Sequence, residues 1–399
     1  MTLAGGRGER LYPLTRDRAK PAVPFGGIYR IIDFTLSNCV NSNMKQICIL
    51  TQYRSLSLER HIQLGWNILC SKLGEFIHII SAQQRIDESW YRGTADAVYQ
   101  NIYTLQHLKP DHVLILSGDH LYKMDYNELI NFHIEKGADL TVATVEQPKE
   151  MSIHFGVMEV DDEGRVLGFE EKPSHPKTIP GDPDRILASM GIYVFNTEIM
   201  VRRLIEDAKE ESEHDFGKNI IPNMVMKKDR VYAYRFRQKG TNLPGYWRDI
   251  GTIEAYFEAH QDLLQENPPL DLYDPQWPIL TYEENVPPAR ILPSKIHEGI
   301  PGGYIINSII SNGCIIKGKR IENSVLSPRV VVESGSEIED SIILEGVKVG
   351  RNVRMRRTIV DKRAIIPDGL EVGFNLEMDR RLFNVSRTGI VVIHREFLP

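Results

Sequence analysis

Apolar residues in the first two thirds of the chain come in short blocks separated by amphipathic stretches. KQICILTQY (45–53), HVLILSGDH (112–120), ADLTVATVE (138–146) and SMGIYVFN (189–196) each read as a buried strand. Between them, YNELINFHIEKG (126–137) has the spacing of an amphipathic helix, with a terminal glycine as its stop. Apolar runs alternating with helical patterns predict an α/β fold with a mostly parallel sheet and helices on both faces. Ligands bind such sheets beyond the carboxyl ends of the strands, where the SGDH and GGRG turns fall.

The texture changes twice more. Residues 266–290 hold six prolines and no long periodic pattern, which predicts a linker along the surface. After it, apolar residues recur at every sixth position: Ile309, Ile315, Ile321; then Leu326, Val332, Ile338, Leu344; then Val347, Val353, Ile359, Ile365. A six-residue beat predicts a parallel β-helix, with one apolar residue per short strand pointing inward. A β-sandwich of short strands is the alternative, but its strands would alternate with period two. The predicted organisation is a catalytic domain over 1–265, a Pro-rich linker over 266–290 and a β-helix over 291–399.

Composition narrows the field without naming a chemistry. At 399 residues two domains are expected, and 42% apolar with 26% charged residues is too apolar for disorder. A net charge of −6 argues against nucleic acid as the main partner. The four cysteines form no CxxC and no metal spacing, and they suit a reduced compartment. No apolar run reaches a membrane span, and no signal peptide is evident, so the expectation is a cytoplasmic protein without a membrane partner.

The chain opens MTLAGGRGERL, with Gly5, Gly6 and Gly8 around Arg7 and ahead of Arg10. Glycine amides wrap an anion without strain, and guanidinium forks match phosphate oxygens, so a phosphate loop clamped by Arg10 and Lys20 is the functional reading. A solvated surface loop is the plain alternative. A Walker loop would need a closing Gly-Lys-Ser/Thr, and a dinucleotide fingerprint would need glycine or alanine where Leu11 stands. Asp119 ends a strand, where a carboxylate seats a divalent cation, and Asp249 in YWRDIGT offers a second. Either alone is more simply a cap or an ion-pair partner. FEEKP (169–173) and HDFGK (214–218) read alone as solvated charge runs, and no nucleophile stands out.

GGRGERLYPLTRDRAKPAVPFGG, YRIIDFTLSNCVNS, ESWYRGTADAVYQN, GDHLYKMDY, FEEKP, ASMGIYVF, HDFGKNIIP and YWRDIGT follow one another in this order. Together they resemble the glucose-1-phosphate adenylyltransferases, or ADP-glucose pyrophosphorylases, of the bacterial glycogen-synthesis type, over nearly the full length. The resemblance implies a Rossmann-like nucleotidyltransferase sheet followed by a left-handed parallel β-helix, and a homotetramer. It implies the Mg²⁺-dependent reaction of ATP with α-D-glucose 1-phosphate to ADP-glucose and pyrophosphate, without a covalent intermediate. By the same resemblance, Gly5, Gly6 and Gly8 would cradle the ATP phosphates, and Arg10 and Lys20 would neutralise the triphosphate. Asp119 and Asp249 would hold Mg²⁺. Gln83, Gly93 and Thr94 would line the adenine pocket, with Tyr91 close by. Glu171, Lys172, Ser189, Asp215, Phe216 and Trp247 would surround the glucose 1-phosphate.

Two features depart from the family pattern. Only Met1 to Ala4 precede the glycine loop, whereas a strand of about five or six residues is typical, so a weakly anchored first strand is expected. Relatives of the enterobacterial type bind a sugar bisphosphate activator partly through a lysine where this chain has Asp17. Arg18 and Arg30 match other basic positions of that site, which implies an anionic effector. Competing readings are the same reaction with another nucleotide or sugar, a non-catalytic regulatory subunit, and a hexapeptide acyltransferase. Retention of Arg10, Lys20, Asp119, Lys172 and Asp249 weighs against the second. The absence of histidine from 305–370 weighs against the third.

Overall fold

The apolar blocks of the first half form strands, and their β-branched residues account for it. The computed structural model describes residues 1–83, 90–293 and 303–395. Two compact units divide the chain: Met1–Gly6, Thr35–Ser55 and Leu69–Trp247 form the first, and Arg7–Phe34, Leu56–Ile68 and Arg248–Pro399 the second.

In the first unit, Thr2–Leu3 lies between Gln46–Thr51 and His112–Ser117 and runs parallel to both. Phe76–Ser81 extends this parallel part beyond Gln46–Thr51. Short as it is, Thr2–Leu3 is bonded on both sides, and Ala4 N continues the ladder to Leu50 O at 2.9 Å. Beyond His112–Ser117 the long strand Arg185–Asn196 turns the sheet antiparallel, and it also pairs with Leu140–Pro148 and Gly156–Val160. Its register shifts between Ser189 and Tyr193, where Gly191 takes φ +67°. A bulge of this kind bends a strand and re-aims its side chains. The predicted helix forms as Tyr126–Glu135, and Gly137 ends it at φ +54°. Leu50, Ile115, Leu140, Val142, Phe195 and Phe216 are among the buried core of this unit.

In the second unit the last third winds into three sheets of parallel strands, a left-handed parallel β-helix, closed on one sheet by the antiparallel strand Asn384–Val385. The coil is close to seventeen residues rather than eighteen. Ser341 N bonds Ser324 Oγ and Thr358 N bonds Ser341 Oγ, each across a separation of 17. A strict sixfold beat therefore slips by about one position per turn. Ile321, Leu326, Val332, Ile338, Val347 and Val353 point inward as predicted. Ile359 is buried, but its strand neighbour Val360 holds the place in the prism core. Ile315 and Ile365 are 39% and 66% exposed. Their neighbours Ile316 and Ile366 fill the prism instead.

The segment 266–290 is anchored within this unit: Leu270 and Ile279 are buried, and the Thr281 hydroxyl donates to Asp33 at 2.6 Å. Asp33, fully buried, also accepts from Trp66 Nε1 at 3.0 Å and Arg30 N at 2.8 Å, with His61 Nε2 at 2.6 Å. One carboxylate thereby ties three distant stretches of sequence together.

A second buried polar anchor carries a pH prediction. His260, packed beside Phe25 and Tyr256, donates from Nδ1 to Tyr256 O at 2.9 Å and accepts Gly26 N–H on Nε2 at 3.2 Å. A proton on Nε2 would face that N–H, and burial lowers the pKa to about 4. The unfolded chain binds this proton near pH 6.5 and the folded chain does not, so stability is full above about 6.5 and is lost as pH falls toward 4. Urea unfolding at about pH 5 is expected to show a loss of about 2 kcal/mol from this group relative to pH 7.5. A His260→Gln variant with an unchanged pH slope would refute the assignment.

Candidate active site

Carboxyl ends of the parallel strands gather the first group of candidate residues. Gly5 and Gly6 follow Thr2–Leu3, and Gly118–Asp119 follows His112–Ser117, with Gly118 N bonded to Leu3 O at 3.0 Å. A Cβ on Gly5 would lie 3.3 Å from Gln52 Cβ, whereas Gly6 faces open space. The Ser117 hydroxyl donates to Asp119 Oδ1 through a very short bond, and His120 Nε2 lies 3.5 Å from the same oxygen. The Asp119 side chain keeps 25% exposure, enough for a ligand to reach it.

Around the bulge of Arg185–Asn196 the first unit gathers polar and aromatic side chains. Ser189 Oγ accepts Gly191 N–H at 3.3 Å. Trp247 stands edge-on to His120 and Phe155, both with ring centroids at 5.1 Å. Its Nε1 is buried and finds no hydrogen-bond partner among the described residues. An orphaned indole N–H costs free energy unless something accepts from it. Glu171 and Lys172 end the strand Val166–Glu171, with Lys172 Nζ 3.4 Å from Glu171 Oε1. Lys172 takes φ +53°, unusual for a lysine, and its N–H bonds Phe155 O at 3.0 Å. Its ammonium is half exposed. The other carboxylate oxygen of Glu171 sits over two glycines: a Cβ on Gly156 or Gly217 would approach it to 2.9 and 3.0 Å. A side chain at either glycine would push that carboxylate from its place.

Asp215 and Phe216 divide their labour. Asp215 Oδ1 accepts Gly217 N–H at 2.9 Å and Lys218 N–H at 3.1 Å, capping the turn that follows, and Oδ2 accepts the Thr94 hydroxyl at 2.8 Å. Phe216 is 1% exposed and packs on Tyr193 and Phe195 with centroids at 5.6 and 5.5 Å. It stands in the core as a floor. Thr94 opens the helix Thr94–Tyr99 directly after Gly93. Tyr91 Oη accepts Asn101 Nδ2–H at 2.9 Å. Gln83 is exposed, two residues beyond Phe76–Ser81, and residues 84–89, including the first two of ESWYRGTADAVYQN, lie outside the described residues.

The second unit gathers the remaining charges. Gly8 takes φ +62°, and a Cβ there would come within 3.0 Å of both Lys20 and Thr15, so only glycine fits this turn. Thr15 Oγ1 closes it by donating to Gly8 O at 2.8 Å. Lys20, 7% exposed, bonds Asp249 Oδ1 at 2.8 Å. Arg10 joins them: a Cβ on Gly251 would lie 3.0 Å from its Nη2 and 3.1 Å from Asp249 Oδ2. Gly8, Arg10, Lys20 and Asp249 therefore form one cluster, drawn from stretches more than 200 residues apart.

Arg18 and Arg30 are not solvated charges. Arg18 is buried and forms a bidentate pair with Asp361 at 2.7 and 3.2 Å. Arg30 Nη1 donates to Ser57 O and Oγ at 2.8 and 2.9 Å, and burial lowers its pKa. Both line a cavity of about 520 Å³, together with Arg60, Lys362, Arg363 and Arg395. Asp17 is engaged at the same rim, 3.3 Å from Arg395 Nη2 and 3.4 Å from His394 Nε2.

Sequence reasoning missed Gly156, Gly217, Gly251 and Tyr193. The first three had a signal, since a glycine inside a strand or beside a charged motif marks close approach. Tyr193 reads as an ordinary strand apolar.

Known proteins share this arrangement of sequence. The family model described as nucleotidyl transferase matches residues 1–266, and that of the GlmU-like C-terminal hexapeptide matches 287–393. A glucose-1-phosphate adenylyltransferase of Nitrosospira multiformis is 52% identical over 402 residues, covering 100% of this chain and 94% of the relative. That of Rhodopirellula baltica is 50% identical over 396 residues, covering 98% and 89%. That of Methylobacillus flagellatus is 49% identical over 402 residues, covering 100% and 93%.

Proposed function

The chain belongs to the glucose-1-phosphate adenylyltransferase family and is a nucleotidyltransferase, and from that premise we propose that it forms ADP-glucose and pyrophosphate from ATP and α-D-glucose 1-phosphate. The observation that carries the reading is the cluster of Arg10, Lys20 and Asp249 beside the tight turn at Gly8. A buried lysine and an exposed arginine beside a glycine turn suit a triphosphate better than a neutral ligand.

A phosphate oxygen of the sugar phosphate attacks the α-phosphorus of ATP. The new P–O bond forms as the bond from the α-phosphorus to the α–β bridging oxygen breaks, and pyrophosphate leaves with that electron pair. Arg10 and Lys20 neutralise charge that builds on the leaving group, which is where preorganised donors accelerate most. Lys172 meets the sugar phosphate, and Glu171 and Ser189 receive sugar hydroxyls. The unpartnered Trp247 Nε1 supports a polar ligand beside it. Gly93, Thr94, Tyr91 and Gln83 frame the adenine, and Asp215 and Phe216 support the sugar side. Asp119 and Asp249 are hard oxygen donors that suit Mg²⁺, while His120 nitrogen suits it less. When bound, Mg²⁺ neutralises phosphate charge.

The same reading places the enzyme in the cytoplasm, in α-glucan (glycogen) synthesis, as a homotetramer under an anionic effector. Arg18 and Arg30 support the effector as lining of a cavity of mixed charge, where Arg18, Lys362 and Arg395 are paired with Asp361, Glu345 and Asp17. Catalytic residues are proposed to fall within 1–265 and the β-helix within 291–399, joined by 266–290.

Purified protein is expected to release pyrophosphate only when ATP, glucose 1-phosphate and Mg²⁺ are all present. Omission of each component in a coupled assay, with UTP and dTTP in place of ATP, checks this. Faster release with UTP or dTTP would overturn the nucleotide assignment, and silence across an effector panel would overturn the reaction.

A further inference from the structure

One turn holds the segments assigned to the two substrates against each other. Residues 213–216 lie across the start of the helix Thr94–Tyr99, which has no side-chain cap of its own. His214 O supplies the cap instead, accepting Ala95 N–H at 2.8 Å and Asp96 N–H at 3.2 Å. Thr94 Oγ1 donates to Asp215 Oδ2 and accepts Phe216 N–H at 3.0 Å. The approach is so close that a Cβ on Gly93 would fall 2.2 Å from Glu213 O and 2.3 Å from His214 O.

His214 holds this position at φ +49°, a left-handed backbone uncommon for any residue but glycine. Such a residue persists where its surroundings over-determine it. Here the clamp is visible. His214 is buried, and its Nδ1 donates to Asp207 Oδ2 at 2.8 Å. Ser212 Oγ donates to Asp207 Oδ1 at 2.9 Å and accepts His214 N–H at 3.0 Å. Asp207 is the last residue of the helix Thr197–Asp207, so the clamp is carried by the end of that helix.

We propose that Asp207, acting through His214, is a positioning residue for both substrates: it keeps the 213–216 turn seated on the start of the helix Thr94–Tyr99, so that the nucleotide segment (Gly93, Thr94) and the sugar-phosphate segment (Asp215, Phe216) share one geometry. The inference rests on the substrate assignments proposed above. Release of the clamp lets the backbone of His214 relax and takes the cap from Ala95 and Asp96. Both substrates then meet a displaced site, while the groups around the reacting phosphates stay in place.

Asp207→Ala is expected to raise the KM for ATP and for glucose 1-phosphate together, each about tenfold, with kcat within about threefold of the original. Asp207→Asn keeps an acceptor for Nδ1–H and should stay close to wild type. The decisive variant is Asp207→Ala combined with His214→Gly, because glycine adopts the left-handed backbone without a clamp. It should bring both KM values back toward wild type, a rescue that loss of general stability does not give. Hydrogen exchange at the Ala95 and Asp96 amides supplies a readout without catalysis: faster in Asp207→Ala, slow again in the double variant. Unchanged KM values and exchange in Asp207→Ala would overturn the inference, as would a double variant no better than the single one. Should the wild type fail to turn over ATP and glucose 1-phosphate, the substrate reading falls, and the exchange experiment still decides the clamp.

Discussion

Asp119→Ala is expected to lower kcat for pyrophosphate release by at least about 10³-fold, the scale of losing a preorganised charge in a phosphoryl-transfer site. The residue stands in the turn after His112–Ser117, at the carboxyl edge of the parallel strands. Its neighbour in the turn, Ser117, donates to it, which leaves the carboxylate oriented and one quarter exposed. Because the side chain is not buried, its removal should move the unfolding midpoint by less than about 1 kcal/mol equivalent. Asp119→Asn keeps an oxygen ligand but drops the charge, and should recover only part of the loss. Turnover of Asp119→Ala within tenfold of wild type would remove the residue from the proposed chemistry.

Lys20→Ala should cost about 10²–10³ in kcat/KM and, unlike the first variant, stability as well. Lys20 and Asp249 form a 2.8 Å pair with side chains 9% and 26% exposed. Removal of the lysine leaves the carboxylate without its partner, a loss of about 1–3 kcal/mol once discounted for the exposure of Asp249. Arg10, close to the other oxygen of Asp249, softens this part. Steady-state kinetics and urea unfolding on one preparation separate the two effects. A lowered unfolding midpoint with unchanged kcat/KM would make Lys20 a structural ion-pair partner and nothing more.

The cavity lined by Arg18 and Arg30 shows how far local sequence reasoning reaches. The opening RDRAKP reads as a run of charges, with Asp17 unfavourable for an anion. In the fold, Arg18 pairs with Asp361 across 343 residues, and Asp17 faces His394 and Arg395. None of these partners is near in sequence, so no pattern within a window could reveal them. The same holds for Asp33 and its donors Trp66 and Thr281.

The sequence by itself determined the elements and their order. Apolar blocks with β-branched residues dictated the strands, and the near-sixfold beat dictated a parallel β-helix, because both depend on spacing within one element. The glycine turn and the strand-end aspartate were legible for the same reason. The tertiary structure alone decided which charges meet. Lys20 reaches Asp249 across 229 residues, Glu171 lies over Gly156 and Gly217, and His214 caps a helix that starts 120 positions earlier. It also corrected the inward series at Ile315 and Ile365, since a coil near seventeen residues hands the interior to Ile316 and Ile366. Periodicity is a property of the local backbone. Pairing of buried charge depends on how distant segments pack, and there desolvation leaves each polar group only the partners the fold supplies.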